Sequence, residues 1–200
     1  MASETDICNL ALARFGEKRI MSLSETSEAA KVCAIFYDQT RDEILRAHRW
    51  NFAMKRAVLS QIVTAPIFGY DYAYQLPTDY IRFGALNDGD LLERAEFVIE
   101  GDQLLSDVET ANFRYVWRIT DSQQFDALFI DALSTKLAAK IAPSLSGDWK
   151  LGEKFMAEYQ SLSLGIARRV DAAGDNSKQS RQSRSINSKM ARARLNGPLG

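Results

Sequence analysis

The spacing of apolar residues changes period twice along the chain. From Glu4 to Phe15, Ile7, Leu10 and Ala11 recur at helical intervals and Arg14 continues their row. Ser3 or Thr5 stands where an N-cap belongs, and Gly16 where a left-handed stop belongs, so a short helix is predicted. The segment "MSLSETSEAA" follows as a linker with several N-cap residues. A longer helix is predicted from Ser27 to His48, because Ala29, Cys33, Phe36, Tyr37, Thr40, Ile44 and Ala47 make one stripe. Its other face carries Glu28, Lys31, Asp38, Arg41, Asp42, Glu43 and Arg46. Asp42 and Arg46 stand four apart, a pairing worth about 0.3 kcal/mol.

Beyond Trp50 the period falls to nearly two and stays there to Thr120. "FAMKRAVLSQIV", "YDYAYQLP", "YIRFGAL", "AEFVIEG", "DQLLSD" and "NFRYVWRIT" read as strands. Glu100-Gly101-Asp102 is a hairpin turn, "LPTD" places Pro77 and Asp79 in a second turn, and Asn87–Asp90 is a third.

The helical period returns at Ser122. Phe125, Leu128, Phe129, Ala132, Leu133, Leu137 and Ile141 line one face of a helix that Pro143 should stop near Ala142. A last helix is predicted from Asp148 to Ala173, with the stripe Leu151, Phe155, Tyr159, Leu162, Ile166 and Val170, and Gly174 as its stop. Four amphipathic helices bury their stripes on one another. The expected fold is therefore α+β, mainly α. It is a four-helix bundle with a β-rich insertion between helices two and three and an extended C-terminal tail. The bundle takes residues 1–49 and 121–173, the insertion 50–120 and the tail 174–200.

Charge separates the tail from the body. Residues 174–200 hold six lysines and arginines against Asp175, a net +5, and the whole chain is −1, which leaves −6 for residues 1–173. The apolar fraction of 46% is ordinary for a globular chain. No apolar run reaches 18 residues, so no membrane span is expected. The N-terminus reads as a capped helix and not as a signal peptide, so a protein made and used without secretion is expected.

Few residues suggest chemistry. Cys8 and Cys33 lack metal or redox spacing and fall on apolar helix faces, which predicts buried free thiols. His48 is the single histidine and has no nucleophile motif beside it. There is no His pair, calcium loop, P-loop or dinucleotide fingerprint. No catalytic residue, metal site or cofactor is expected, and the carboxylates read as solvated faces. Tyr70, Tyr72, Tyr74, Tyr80 and Phe83 crowd one region, as base-stacking platforms do. Asp71, Asp79, Asp88 and Asp90 outnumber Arg82 there, so strand packing or a protein interface is the better reading.

At "HRWNFAMKRAVL" and "FGYDYAYQLPTDYIRF" the chain resembles the head-to-tail adaptors of tailed bacteriophages, the tail tubular protein A type of short-tailed phages. The likeness begins with "ICNLALARFGEKRI" and an Ala-rich helix leading into Trp50-Asn51-Phe52-Ala53. It continues through Leu76-Pro77-Thr78-Asp79 with Arg82, the strand pair about Ile99-Glu100-Gly101, and "FRYVWRITD". It closes with Phe125, Phe129 and "LAAKIA", and so spans about 170 residues. The resemblance implies a structural virion protein of the tail, assembled in the host cytoplasm. It implies a ring of twelve copies beneath the portal protein, with tail nozzle or fibre proteins on its other side. Viral DNA would pass through the centre without sequence-specific binding. It also implies a C-terminal segment that grips the portal, and no catalytic residues.

The tail itself admits three readings: a disordered basic tail, a nucleic-acid arm, or a segment that folds on a protein partner. Ile186, Met190 and Leu195 are spaced among Arg181, Arg184, Lys189, Arg192 and Arg194, which suits an acidic groove. With the resemblance, a serine-rich spacer to about Ser185 and a portal-docking anchor from Ile186 to Leu195 are expected. Tyr70, Tyr72, Tyr74 and Tyr80 are the candidates for a subunit or nozzle interface. The alternative is a nucleic-acid-binding accessory protein that uses the basic tail.

Overall fold

The computed structural model describes residues 2–87, 96–163 and 165. The chain divides into two compact units, Met1–Tyr159 and Gln160–Gly200, and the second is described only at residues 160–163 and 165. Among the described residues the fold is mixed α+β: four helices, with a region of two sheets lying between the second and the third.

Helix α1 spans Glu4–Ala13. Ser3, rather than Thr5, caps it: its hydroxyl accepts from the Asp6 amide while the Asp6 carboxylate accepts from the Ser3 amide. Such a box is worth about 1 kcal/mol. Ile7, Cys8, Ala11 and Leu12 are buried, whereas Leu10 of the predicted row is half exposed.

Helix α2 spans Glu28–Ala47 and is capped by Ser27. Its buried set is wider than one stripe, because α1, α3 and two strands all pack on it. Val32, Leu45 and Arg41 join Cys33, Tyr37, Thr40 and Ile44 inside, while Ala47 is exposed. Burial of Arg41 corrects its assignment to the solvated face; its guanidinium is held by Asp38 at 2.8 Å and Asp42 at 2.9 Å. The expected Asp42–Arg46 pair is replaced: Asp42 takes Arg41 and Arg118, and Arg46 reaches the Ile81 carbonyl.

All six strand-like stretches form strands. β1 (Met54–Val58), β4 (Tyr80–Leu86) and β7 (Asn112–Trp117) make a three-stranded antiparallel sheet in the order β1-β7-β4. β2 (Gln61–Ile62), β3 (Tyr72–Gln75), β5 (Phe97–Glu100) and β6 (Gln103–Ser106) make a second sheet in the order β2-β3-β6-β5. Gly101 turns the β5–β6 hairpin at φ +60°. The Tyr80 amide donates to the Pro77 carbonyl at 3.0 Å, closing the turn expected at "LPTD". The turn expected at Asn87–Asp90 lies outside the described residues beyond Asn87. Tyr74 and Leu104 from one sheet meet Leu86, Phe113 and Tyr115 from the other in a single core.

Helix α3 spans Ala127–Ser146 after a 3₁₀ turn at Ser122–Gln124. Pro143 does not stop it, contrary to expectation. A proline inside a helix removes the bond to the carbonyl four residues back, here Ala139, and costs least near the end. The helix runs one turn further and stops at Gly147, whose φ of +72° lets its amide reach the Pro143 carbonyl. Gly152 of α4 (residues 149–163) crosses at this point. A Cβ there would lie 2.7 Å from Pro143 Cγ and 3.0 Å from the Ala139 oxygen, so only glycine permits the approach. Phe129, Ala132, Leu133, Leu137 and Ile141 of α3 are buried as expected, with Phe155 and Tyr159 of α4; Leu128 is partly exposed. Ile166 and Val170 of the predicted fourth stripe lie outside the described residues.

Candidate interaction surfaces

The residues between α2 and the sheets form a dense joint. The last four carbonyls of a helix have no partner inside it. Here Trp50 Nε1 donates to Ile44 at 2.9 Å, and Arg82 Nη1 donates to Arg46 at 3.0 Å and Ala47 at 2.7 Å. A guanidinium at a helix C-terminus also meets the negative end of its dipole. Arg46 returns the contact by donating to the Ile81 carbonyl at 3.0 Å, and Arg118 reaches Asp42 at 2.8 Å. Trp50 and Phe52 then pack edge-on against Phe129, with ring centroids 5.1 and 5.2 Å away.

Asp79 fastens the three-stranded sheet from its turn. It accepts from Lys55 Nζ at 2.7 Å and from the Tyr115 hydroxyl at 2.8 Å. Burial opposes its ionisation, but these two donors prevail and hold the carboxyl below its usual range. Glu43 behaves alike: burial opposes its charge, and Lys140 and Lys136 outweigh it. Both lysines come from α3, so this pairing ties α3 to α2.

The residues singled out in the sequence fall in different places. Tyr74 is 1% exposed and its hydroxyl donates to the Val108 carbonyl, so it is part of the core. Tyr72 and Tyr80 are half-buried against that core, and Tyr70 is half-buried in the loop before β3. Arg181, Arg184, Ile186, Lys189, Met190, Arg192, Arg194 and Leu195 lie outside the described residues. His48 stands edge-on to Trp50, and burial together with the Arg82 charge lowers its pKa. Cys8 and Cys33 are free and buried. The neighbouring Cys33 thiol and burial push the Cys8 thiol up. Among the described residues, no group of three or more His, Cys, Asp or Glu is arranged to hold a metal, and no helix is long and apolar enough to cross a membrane.

One surface escaped the sequence reading. In the loop between β2 and β3, Val63 is 101% exposed, Ile67 97% and Phe68 84%. From Gln61 to Tyr70 the chain has no charged residue, and Pro66 and Gly69 break any regular period. That charge-free stretch with two breakers was the available signal. An open pocket of about 620 Å³ lies elsewhere on the β region, over the paired ends of β1 and β7 and beside Asn87, with Arg56, Val58, Asn112 and Arg114 among its lining residues. A smaller hollow of about 370 Å³ lies between α1 and α3, at Leu10, Arg14 and Asp131.

No family model matches the chain, and no curated protein matches it.

Proposed function

We propose that this chain is a structural virion protein, a head-to-tail adaptor. Copies of it form a ring, of twelve by its resemblance, between the portal protein and the tail nozzle. Genomic DNA passes through the centre, and the basic tail docks on the portal. The observation that carries the reading is where the adaptor-like residues fall. Trp50, Phe52, Arg82 and Phe129 converge on the joint between α2, α3 and the β region, and Asp79 fastens the adjoining sheet. A ring closes only if every subunit presents its two unlike faces at the same angle. A joint of paired carbonyls and packed rings keeps that angle constant. The −6 charge of residues 1–173 suits a lumen that does not hold DNA, because each phosphate neutralised adds affinity.

Truncation after Ala173 tests the docking role. The shortened chain should keep its fold and its thermal midpoint, and lose most of its binding to isolated portal protein. Portal binding equal to the full chain's would sink the role given to the tail.

The +5 charge of residues 174–200 favours a second reading, a nucleic-acid-binding accessory protein. In that case log K for DNA should fall with log salt at a slope of about −5 if all six basic residues meet phosphate, and truncation should abolish it. The adaptor reading expects weak DNA binding with or without the tail.

A further inference from the structure

We propose that the bare apolar loop at residues 63–70 is a docking surface, and that its occupant is the basic tail, residues 174–200, of a second copy of this chain.

The loop gives the first reason. Val63, Ile67 and Phe68 sit within six residues and are close to fully exposed, while Tyr74, Leu76 and Leu104 of the same region are buried. Single exposed apolar residues need no explanation, but three on one short loop make a patch that water solvates poorly. The loop joins β2 to β3, so it lies at the end of the four-stranded sheet where β6 finishes and β5 starts.

The charge at that end selects the occupant. Asp71 follows the loop, and its amide donates to the Asp107 carboxylate at 3.0 Å. Glu109 comes two residues after Asp107. Glu96 leads into β5 beside them, and its carbonyl accepts from the Ser106 hydroxyl at 2.7 Å. All four acids are exposed, and none makes an ion pair among the described residues. Residues 59–78 and 96–113, which include the whole of this sheet, hold six acids and no lysine or arginine. Residues 88–95, outside the described residues, add three acids and one arginine in sequence, so the sign holds. Such a surface repels phosphate, which makes nucleic acid and anionic lipid poor occupants. It attracts a segment that carries apolar and basic side chains together.

The tail has that composition. Its net charge is +5, and Ile186, Met190 and Leu195 stand among its basic residues. Each copy brings one loop and one tail, so donor and receiver are unlike surfaces in equal number and the contact passes from copy to copy. The inference goes beyond the adaptor reading and needs no portal. Under that reading the portal competes for the same segment.

The test uses the full chain at low salt, where surface charges act farthest. Sedimentation should show self-association that falls as salt rises. Asp71→Lys with Glu109→Lys in one preparation, and Arg192→Glu with Arg194→Glu in another, should each weaken it about tenfold or more. Mixing the two preparations should restore it, because opposite charges then meet again. Phe68→Ser should also weaken it. Glu28→Lys with Glu153→Lys, the same charge change at exposed helix positions, should leave it unchanged. The thermal midpoint should hold in each loop and acid variant, because those side chains lie outside the core. Association that neither reversal weakens, or that mixing fails to restore, would overturn this contact. A chain that stays a single copy at low salt would overturn it too, and in each case the adaptor reading still stands or falls on portal binding. Association that mixing restores and that added portal protein does not disturb would support the contact and count against the tail's docking on the portal.

Discussion

The joint at the end of α2 and the loop before β3 contain similar residues and use them in opposite ways. At the joint, Trp50, Phe52, Phe125 and Phe129 are packed ring against ring, and the arginines Arg46 and Arg82 spend their donors on backbone carbonyls. At the loop, Val63, Ile67 and Phe68 touch almost nothing of their own chain. Apolar surface left in water costs stability in proportion to its area. The joint removes that cost, and the loop leaves it in place. The difference separates what holds the chain in shape from what it leaves exposed to solvent.

Substitutions at the joint should expose this contrast most strongly. Phe129→Ala removes a fully buried ring that touches three other aromatic residues, and should cost about 3–5 kcal/mol in chemical denaturation. A loss under 1 kcal/mol would mean that the joint is not what unites helices and sheets. Arg82→Ala uncovers the Arg46 and Ala47 carbonyls at the end of α2 and should cost about 1–2 kcal/mol. Amide exchange at the C-terminal turn of α2 should rise first, and Arg82→Lys should recover only part of the loss.

Asp79 sharpens the comparison through pH. Its folded-state pKa is depressed below the ordinary 3.8, so its contribution is present above that value and is lost as pH falls through the folded value. Asp79→Asn should therefore cost about 1 kcal/mol at pH 7 and progressively less below pH 4, seen as converging urea midpoints. A gap that stays constant with pH would assign the effect to packing. The smallest stability effect belongs to the loop: Phe68→Asp should change unfolding free energy by less than about 0.5 kcal/mol.

Periodicity made the elements legible because each has one dominant covered face. The six strand-like stretches, the four helices and the place of the β region between helices two and three follow from it. What it could not give was a second covered face. Arg41 and Leu45 are buried because α2 is packed from several sides, and a single stripe cannot announce that. Pro143 looks like a stop in the sequence because its position does not reveal that the helix can run on past it to Gly147. The pairing of seven strands into two sheets depends on contacts distant in the chain, which local period does not encode. Tyr74 and Phe68 illustrate the limit for sites. Both are aromatic residues among apolar neighbours, and only the fold separates the core residue from the bare one.

We propose that this chain is the repeating subunit of a ring that binds a portal. Native mass measurement of the full chain mixed with isolated portal protein tests it most directly. The expected result is a discrete complex carrying many copies of the chain, twelve by its resemblance. A chain that remains unassociated beside intact portal, at concentrations well above those at which the portal itself is assembled, would contradict it.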